Sequence, residues 1–172
     1  MKETIKDLLS RRSCRSFKKE QITEEELYTI LSAGIYAPSG LGKQSPRIVV
    51  MQDPDDIAAL SKMNAAIMGA DIDPFYGAPT ILIVLADPSV PTYVEDGSLV
   101  IGNMLNAASA IGVGSCWIHR AKQEFESPEG KALLAKWGLP QDLVGIGHCI
   151  LGYRDGEKQE PAPRKEDYVV RA

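Results

Sequence analysis

Apolar residues crowd most densely between positions 99 and 111. Leu99, Val100, Ile101, Met104, Leu105, Ala107, Ala108, Ala110 and Ile111 fall on nearly every face of a helix. A helix that is apolar all round, interrupted only by Asn103 and Asn106, belongs in a core or a subunit interface. Thr92 and Glu95 have the Thr-x-x-Glu spacing of a capping box at its start. Gly112 is placed for a left-handed C-cap. Ser98, Gly102 and Ser109 are small enough for a second helix or a flat ligand to come close. A short strand over residues 115–118 follows and emerges at His119 and Arg120, where backbone groups can hold a ligand.

The same periodicities organise the flanking segments. Ile5, Leu8 and Leu9 make a stripe on a first helix capped by Thr4 and Asp7, and the stripe is expected to be buried. Thr23 and Glu26 form a second capping box, ahead of a helical stripe of Leu27, Ile30, Leu31, Gly34 and Ile35 that Pro38 ends. Residues 39–46 read as a loop. A β-branched strand covers 47–51. Asp53 and Pro54 then open a short helix to about Met63, with 64–75 irregular. The apolar run 80–86 is a central strand. Ser127-Pro128-Glu129 starts a helix with Leu133, Leu134 and Trp137 inward, closed by Gly138 and Pro140. The last strand, 144–153, has glycines at 145, 147 and 152 that indicate close packing or a bulge. Pro161-Ala162-Pro163 keeps the tail extended. Its apolar end, Tyr168-Val169-Val170, suits a strand that docks on a second subunit.

Composition narrows the class. The chain has 172 residues, 44% hydrophobic and 24% charged, which fits one globular domain spanning 1–172. A net charge of -4 argues against nucleic acid as the main partner. No apolar run approaches the roughly 20 residues of a membrane span. The charged N-terminus, with Lys2, Glu3, Lys6 and Asp7, is not a signal peptide. Cys14, Cys116 and Cys149 are odd in number and widely spaced, so they read as reduced, buried thiols of a cytoplasmic protein. Against the acidic background, Arg11, Arg12, Arg15, Lys18 and Lys19 stand together with no acid between them. Arginines around Ser13 and Ser16 offer the forked donors and hydroxyls that a phosphate monoester needs; a solvated basic turn is the alternative.

Several motifs fail on inspection. Gly42-Lys43 is no P-loop, because Ala37 replaces the first Gly, Gln44 replaces Ser/Thr, and the loop follows a helix. Gly112-Val113-Gly114 has Trp117 where a dinucleotide fingerprint has its third Gly, and it too follows a helix. His119 and His148 lack metal-ligand spacing, and no Gly-x-Ser-x-Gly elbow exists. With no side-chain constellation for acid, base or nucleophilic work, an enzyme of this sequence draws its chemistry from a cofactor.

Taken in order, Arg11-Arg12-Ser13-Cys14-Arg15, Ala37-Pro38-Ser39-Gly40, Ala78-Pro79, residues 112–118, Gly152-Tyr153 and Arg164-Lys165 resemble the FMN-dependent nitroreductase family over almost the whole chain. The resemblance implies an α+β homodimer with a mixed, mostly antiparallel sheet flanked by helices, joined along long central helices, with the C-terminal tail exchanged. It implies FMN at the dimer interface. Arg11, Arg12, Ser13 and Arg15 match the N-terminal phosphate and ribityl contacts, and Arg164 and Lys165 the C-terminal phosphate contacts. Pro38, Ser39 and Gly40 match a loop laid against the flavin by the other subunit. Gln44 survives there from an Asn-x-Gln-Pro-Trp pattern whose Asn and Trp are missing. Ile118, His119 and Arg120 match backbone contacts to flavin N5 and O4, and Asn64 matches an amide at the pyrimidine edge. The chain is also short for the family.

The implied activity is NAD(P)H-dependent reduction of nitroaromatics, quinones or related small electrophiles by ping-pong hydride transfer, with flavin N5 as the reactive atom and no catalytic side chain. A flavin storage or sensing module, or a relative performing dehalogenation or dehydrogenation, are the alternatives.

Overall fold

The computed structural model describes residues 1–172. Its sheet has four strands, β1 (Pro46–Met51), β2 (Thr80–Ala86), β3 (Gly114–Ile118) and β4 (Val144–Gly152), in the order β1-β2-β4-β3. Every strand pairing is antiparallel. The parallel component expected of a mixed sheet is reduced to one bridge, Ser13 to Ser115. Six α-helices accompany the sheet: α1 (Glu3–Ser10), α2 (Glu24–Ile35), α3 (Pro54–Met68), α4 (Tyr93–Ala110), α5 (Ala121–Glu126) and α6 (Pro128–Lys136).

β2 is buried along its whole length. Its alternation divides the core: Ile81, Ile83 and Leu85 pack with Leu60, Phe75, Phe125 and Leu134, whereas Leu82, Val84 and Ala86 pack with Ile30, Ile101 and Met104. Helices α3, α5 and α6 therefore cover one face and α2 and α4 the other, giving three layers. Each fully buried Leu or Ile contributes about 1.5–3 kcal/mol. All three cysteines are buried and unpaired.

The glycines of β4 do what their spacing suggested. The register shifts between Val84 and Leu85, opposite Gly147 and Gly145. A Cβ on Gly145 would lie 2.2 Å from the Ala121 carbonyl oxygen, so only glycine lets α5 sit this close to β4.

Local signals were obeyed where the chain alone satisfies them. The Thr23–Glu26 capping box forms, and Gly112 takes the left-handed conformation, φ 82°. Four expectations are corrected. Thr92 makes no side-chain cap, because at ψ 19° it is not in the extended conformation a cap requires; it packs instead on Gly40. α3 continues through 64–68 and stops at Gly69, φ 70°. α5 forms where no helix was foreseen. The α1 stripe is not buried: Ile5, Leu8 and Leu9 are 44, 47 and 62% exposed, since no other part of the chain covers them. Leu134 is buried as expected, and Leu133 and Trp137 pack half-buried against the same core.

Replacing Gly145 with Ala should overpack the β4–α5 contact and lower stability by about 1–3 kcal/mol. Urea unfolding measures this; an unchanged midpoint would show that α5 has slack.

Candidate functional site

The basic N-terminal stretch lies along the free edge of β3. Cys14 N–H donates to the Ser115 carbonyl at 2.8 Å, and Ser13 bridges Ser115. Gly114 permits the approach, as a Cβ there would come within 2.9 Å of Cys14 Sγ. From Ser115 the strand carries the chain about 13 Å, at roughly 3.3 Å per residue, to the His119–Arg120 turn. Arg11 and Arg15 make no ion pair within the chain. Arg12 turns back on α1: its Nη1 donates to Leu9 O at 2.9 Å and Arg11 O at 2.7 Å. Its Nε is buried without a partner.

At the other end of β3, Ile118 is the last residue paired with β4, opposite His148. Arg120 then adopts φ 81°, a left-handed conformation that costs a non-glycine residue roughly 1–2 kcal/mol. Neither the His119 nor the Arg120 N–H donates to any group of the chain. Asn64 sits behind this turn, fully buried. Its Nδ2 donates to the His119 carbonyl at 2.9 Å and to Glu124 Oε1 at 2.6 Å, and its Oδ1 accepts from Arg120 Nε at 2.9 Å. The amide is thus occupied by protein groups. It braces the turn, where the resemblance had it touching a ligand.

Pro38, Ser39, Gly40 and Gln44 lie in the α2–β1 connection. Asp96, on the first turn of α4, holds this loop: its Oδ1 accepts from Gly40 N–H and its Oδ2 from Ser45 Oγ, both at 2.9 Å. Burial opposes ionisation of Asp96, but the Gly40 and Ser45 bonds outweigh it and hold the carboxyl below its usual range. Gln44 is exposed, with φ 50° and its N–H on Ser39 Oγ. β1 and β3 are opposite edges of the sheet, three strand spacings or about 14 Å apart. One chain therefore does not bring the 38–44 loop beside the His119–Arg120 turn. Arg164 and Lys165 make no hydrogen bond or ion pair with that turn either. The last bond from the tail to the body is Asp155 N–H to Ser16 O, and residues 155–172 are exposed.

Two clefts are open. The larger, about 1050 Å³, lies between α3 and the 69–79 segment and is lined by none of the expected site residues. The smaller, about 390 Å³, is lined by Pro38, Ser39 and Gln44 together with Ile35 and Ile48. The residues with the clearest positional work, Asp96, Glu124 and His148, were not foreseen as parts of a site. Asp96 had a weak signal, a carboxylate four residues into a helix whose cap fails. Glu124 had none, because α5 was invisible.

The chain is thus a three-layer α+β sandwich with a basic N-terminal stretch beside the edge strand β3 and two unpartnered backbone N–H groups at the exit of β3. The Nitroreductase family profile matches residues 8–153, and the chain belongs to that family. It is 32% identical over 163 residues to a protein of Archaeoglobus fulgidus provisionally named NADH dehydrogenase/NAD(P)H nitroreductase, covering 92% of this chain and 89% of the relative. It is 25% identical to an FMN reductase [NAD(P)H] of Bacillus subtilis, covering 86% of this chain and 66% of that one. Among solved structures, a nitroreductase with bound FMN from Bacteroides fragilis superposes with a TM-score of 0.91 at 27% identity, covering 100% of both chains.

Asp96→Asn should destabilise the protein by about 1–3 kcal/mol through weakened charge-assisted bonds to the loop. Because the folded carboxyl is shifted down, its contribution is complete above the ordinary carboxylate range and is lost as pH falls through the depressed folded value. Wild-type and variant denaturation curves should therefore differ at neutral pH and converge in acid. A constant gap at all pH values would remove Asp96 from this role.

Proposed function

We propose that residues 1–172 form one FMN-binding domain that works as a homodimeric, cytoplasmic NAD(P)H oxidoreductase, reducing nitroaromatics, quinones or related small electrophiles. The observation that carries this reading is the pair of unpartnered N–H groups at His119 and Arg120, at the end of the strand whose other end is flanked by Ser13 and the arginines. The residues fit the cofactor. Arg11 and Arg15 have no counter-ion in the chain, Arg12 Nε is a buried donor without an acceptor, and an FMN phosphate carries nearly two negative charges. Bound FMN supplies a two-electron carrier that takes hydride from NAD(P)H and passes it to an acceptor. Uncharged backbone donors at 119–120 would orient the ring and favour negative charge on it without titrating.

A second copy of the chain completes the reading. In one chain the 38–44 loop lies three strands from the turn and the Arg164–Lys165 tail makes no bond to it; a partner is what would bring both to the site. Ile5, Leu8 and Leu9 on α1, with Leu99 on α4 and Ile111 at its C-cap, are exposed apolar side chains suited to such an interface. A shared site used first by the nicotinamide and then by the acceptor gives ping-pong kinetics. The family's name and the activities named for its relatives support the reductase reading over storage of the flavin.

Anaerobic addition of NAD(P)H to FMN-reconstituted protein should bleach the oxidised flavin absorbance, and a nitroaromatic or quinone should restore it. Persistent yellow colour under excess NAD(P)H would end the reductase reading. The double variant Arg11→Ala, Arg164→Ala should fold but lose FMN on gel filtration, with at least a tenfold weaker Kd. Undiminished occupancy would free both arginines from phosphate binding.

A further inference from the structure

A line of buried polar side chains runs from the core to the His119–Arg120 turn. His148, on β4, and Glu124, on α5, are both fully buried. His148 Nε2 lies 2.5 Å from Glu124 Oε2. The other oxygen of Glu124 accepts from Asn64, and Asn64 in turn grips the His119 carbonyl and Arg120 Nε. The Phe75 ring meets the imidazole edge-on at 5.4 Å, fixing its plane. With its Nε2 on Glu124, the ring leaves Nδ1 buried and unpartnered. A buried ring nitrogen without a partner is costly and calls for an explanation.

What this line of side chains holds follows from the peptide plane. The chain contains no cis peptide bond, so the His119 carbonyl and the Arg120 N–H lie in one plane and point in opposite directions. Asn64 draws that carbonyl inward, and the N–H is thereby turned out of the protein. The left-handed φ of Arg120, which residues other than glycine avoid, is secured by the second grip of the same amide on Nε.

We propose that His148, Glu124 and Asn64 are positioning residues that aim the Arg120 N–H at an acceptor atom of the bound flavin ring, and that they set how strongly the site prefers reduced over oxidised FMN. This rests on the FMN reading above. It departs from a direct contact between Asn64 and the ring, since both Asn64 N–H donors are used within the chain and the side chain is fully buried. Glu124 supplies the acceptor that fixes which way the Asn64 amide faces, and His148 fixes Glu124.

The test uses three full-length proteins: wild type, Asn64→Ala and Glu124→Gln. Glu124→Gln keeps an oxygen for Asn64 and an N–H for the imidazole, so it is the conservative rescue. In the apo proteins, the NMR backbone order parameter of Arg120 should fall from about 0.85 to below about 0.6 in Asn64→Ala and stay near wild type in Glu124→Gln. In the holoproteins, Asn64→Ala should lose about tenfold in its preference for reduced FMN, about 30 mV for a two-electron couple, with Glu124→Gln again close to wild type. Should Asn64→Ala fail to fold, Asn64→Thr fills the space without an amide and carries the same expectation. An unchanged Arg120 order parameter and an unchanged potential in a folded Asn64 variant with FMN bound would overturn the positioning role while leaving the cofactor reading intact. A wild type that binds no FMN would overturn the cofactor reading itself, and with it this proposal.

Discussion

No side chain of β2 reaches water, so both faces of the sheet have to be covered and the strand has to lie inside it. From that follow the helical layers on either side and the position of β1 and β3 at opposite edges. The edges matter most for function. β3 has the basic N-terminal stretch along it and ends at the turn with free backbone donors. β1 starts at the loop that Asp96 holds. A four-stranded sheet keeps these two features apart in one chain, and on the dimeric reading proposed above a second subunit would join them.

Two carboxylates anchor the two features in the same physical way. Asp96 accepts from Gly40 and Ser45 and fixes the loop before β1. Glu124 accepts from Asn64 and meets His148, and through Asn64 it fixes the turn after β3. In both cases a buried acceptor with matched donors replaces the regular ladder where secondary structure stops, and a buried charge without those donors would be costly. The glycines serve the same end. Gly114 admits Cys14 to the edge of β3, and Gly145 admits α5, which carries Glu124, against β4.

The exposed apolar residues of α1 and α4 have a place in this scheme. They lie outside the sandwich, on surface that the chain's own elements leave uncovered, whereas the core clusters are closed. The tail after residue 155 likewise has no bond to the body of its own chain. The burial expected at Ile5, Leu8 and Leu9 does not occur within the chain; on the dimeric reading proposed above, a second subunit would cover them.

Periodicity and capping chemistry determined most of the elements. The Thr23–Glu26 box, the Asp53–Pro54 start, the apolar run of β2 and Gly112 each act through neighbours a few residues away, and such interactions are legible in a linear string. The ordered motifs from Arg11 to Lys165 determined the family. Tertiary structure alone decided that Thr92 would not cap, that α3 would extend past Met63, and that α5 would form at all. It also decided that Asn64 would face inward to the turn. These depend on contacts across 56 residues, as from Arg120 to Asn64, or across 24, as from His148 to Glu124. No local spacing encodes partners that distant; only the packing of α3 and α5 against β4 brings them within hydrogen-bond reach.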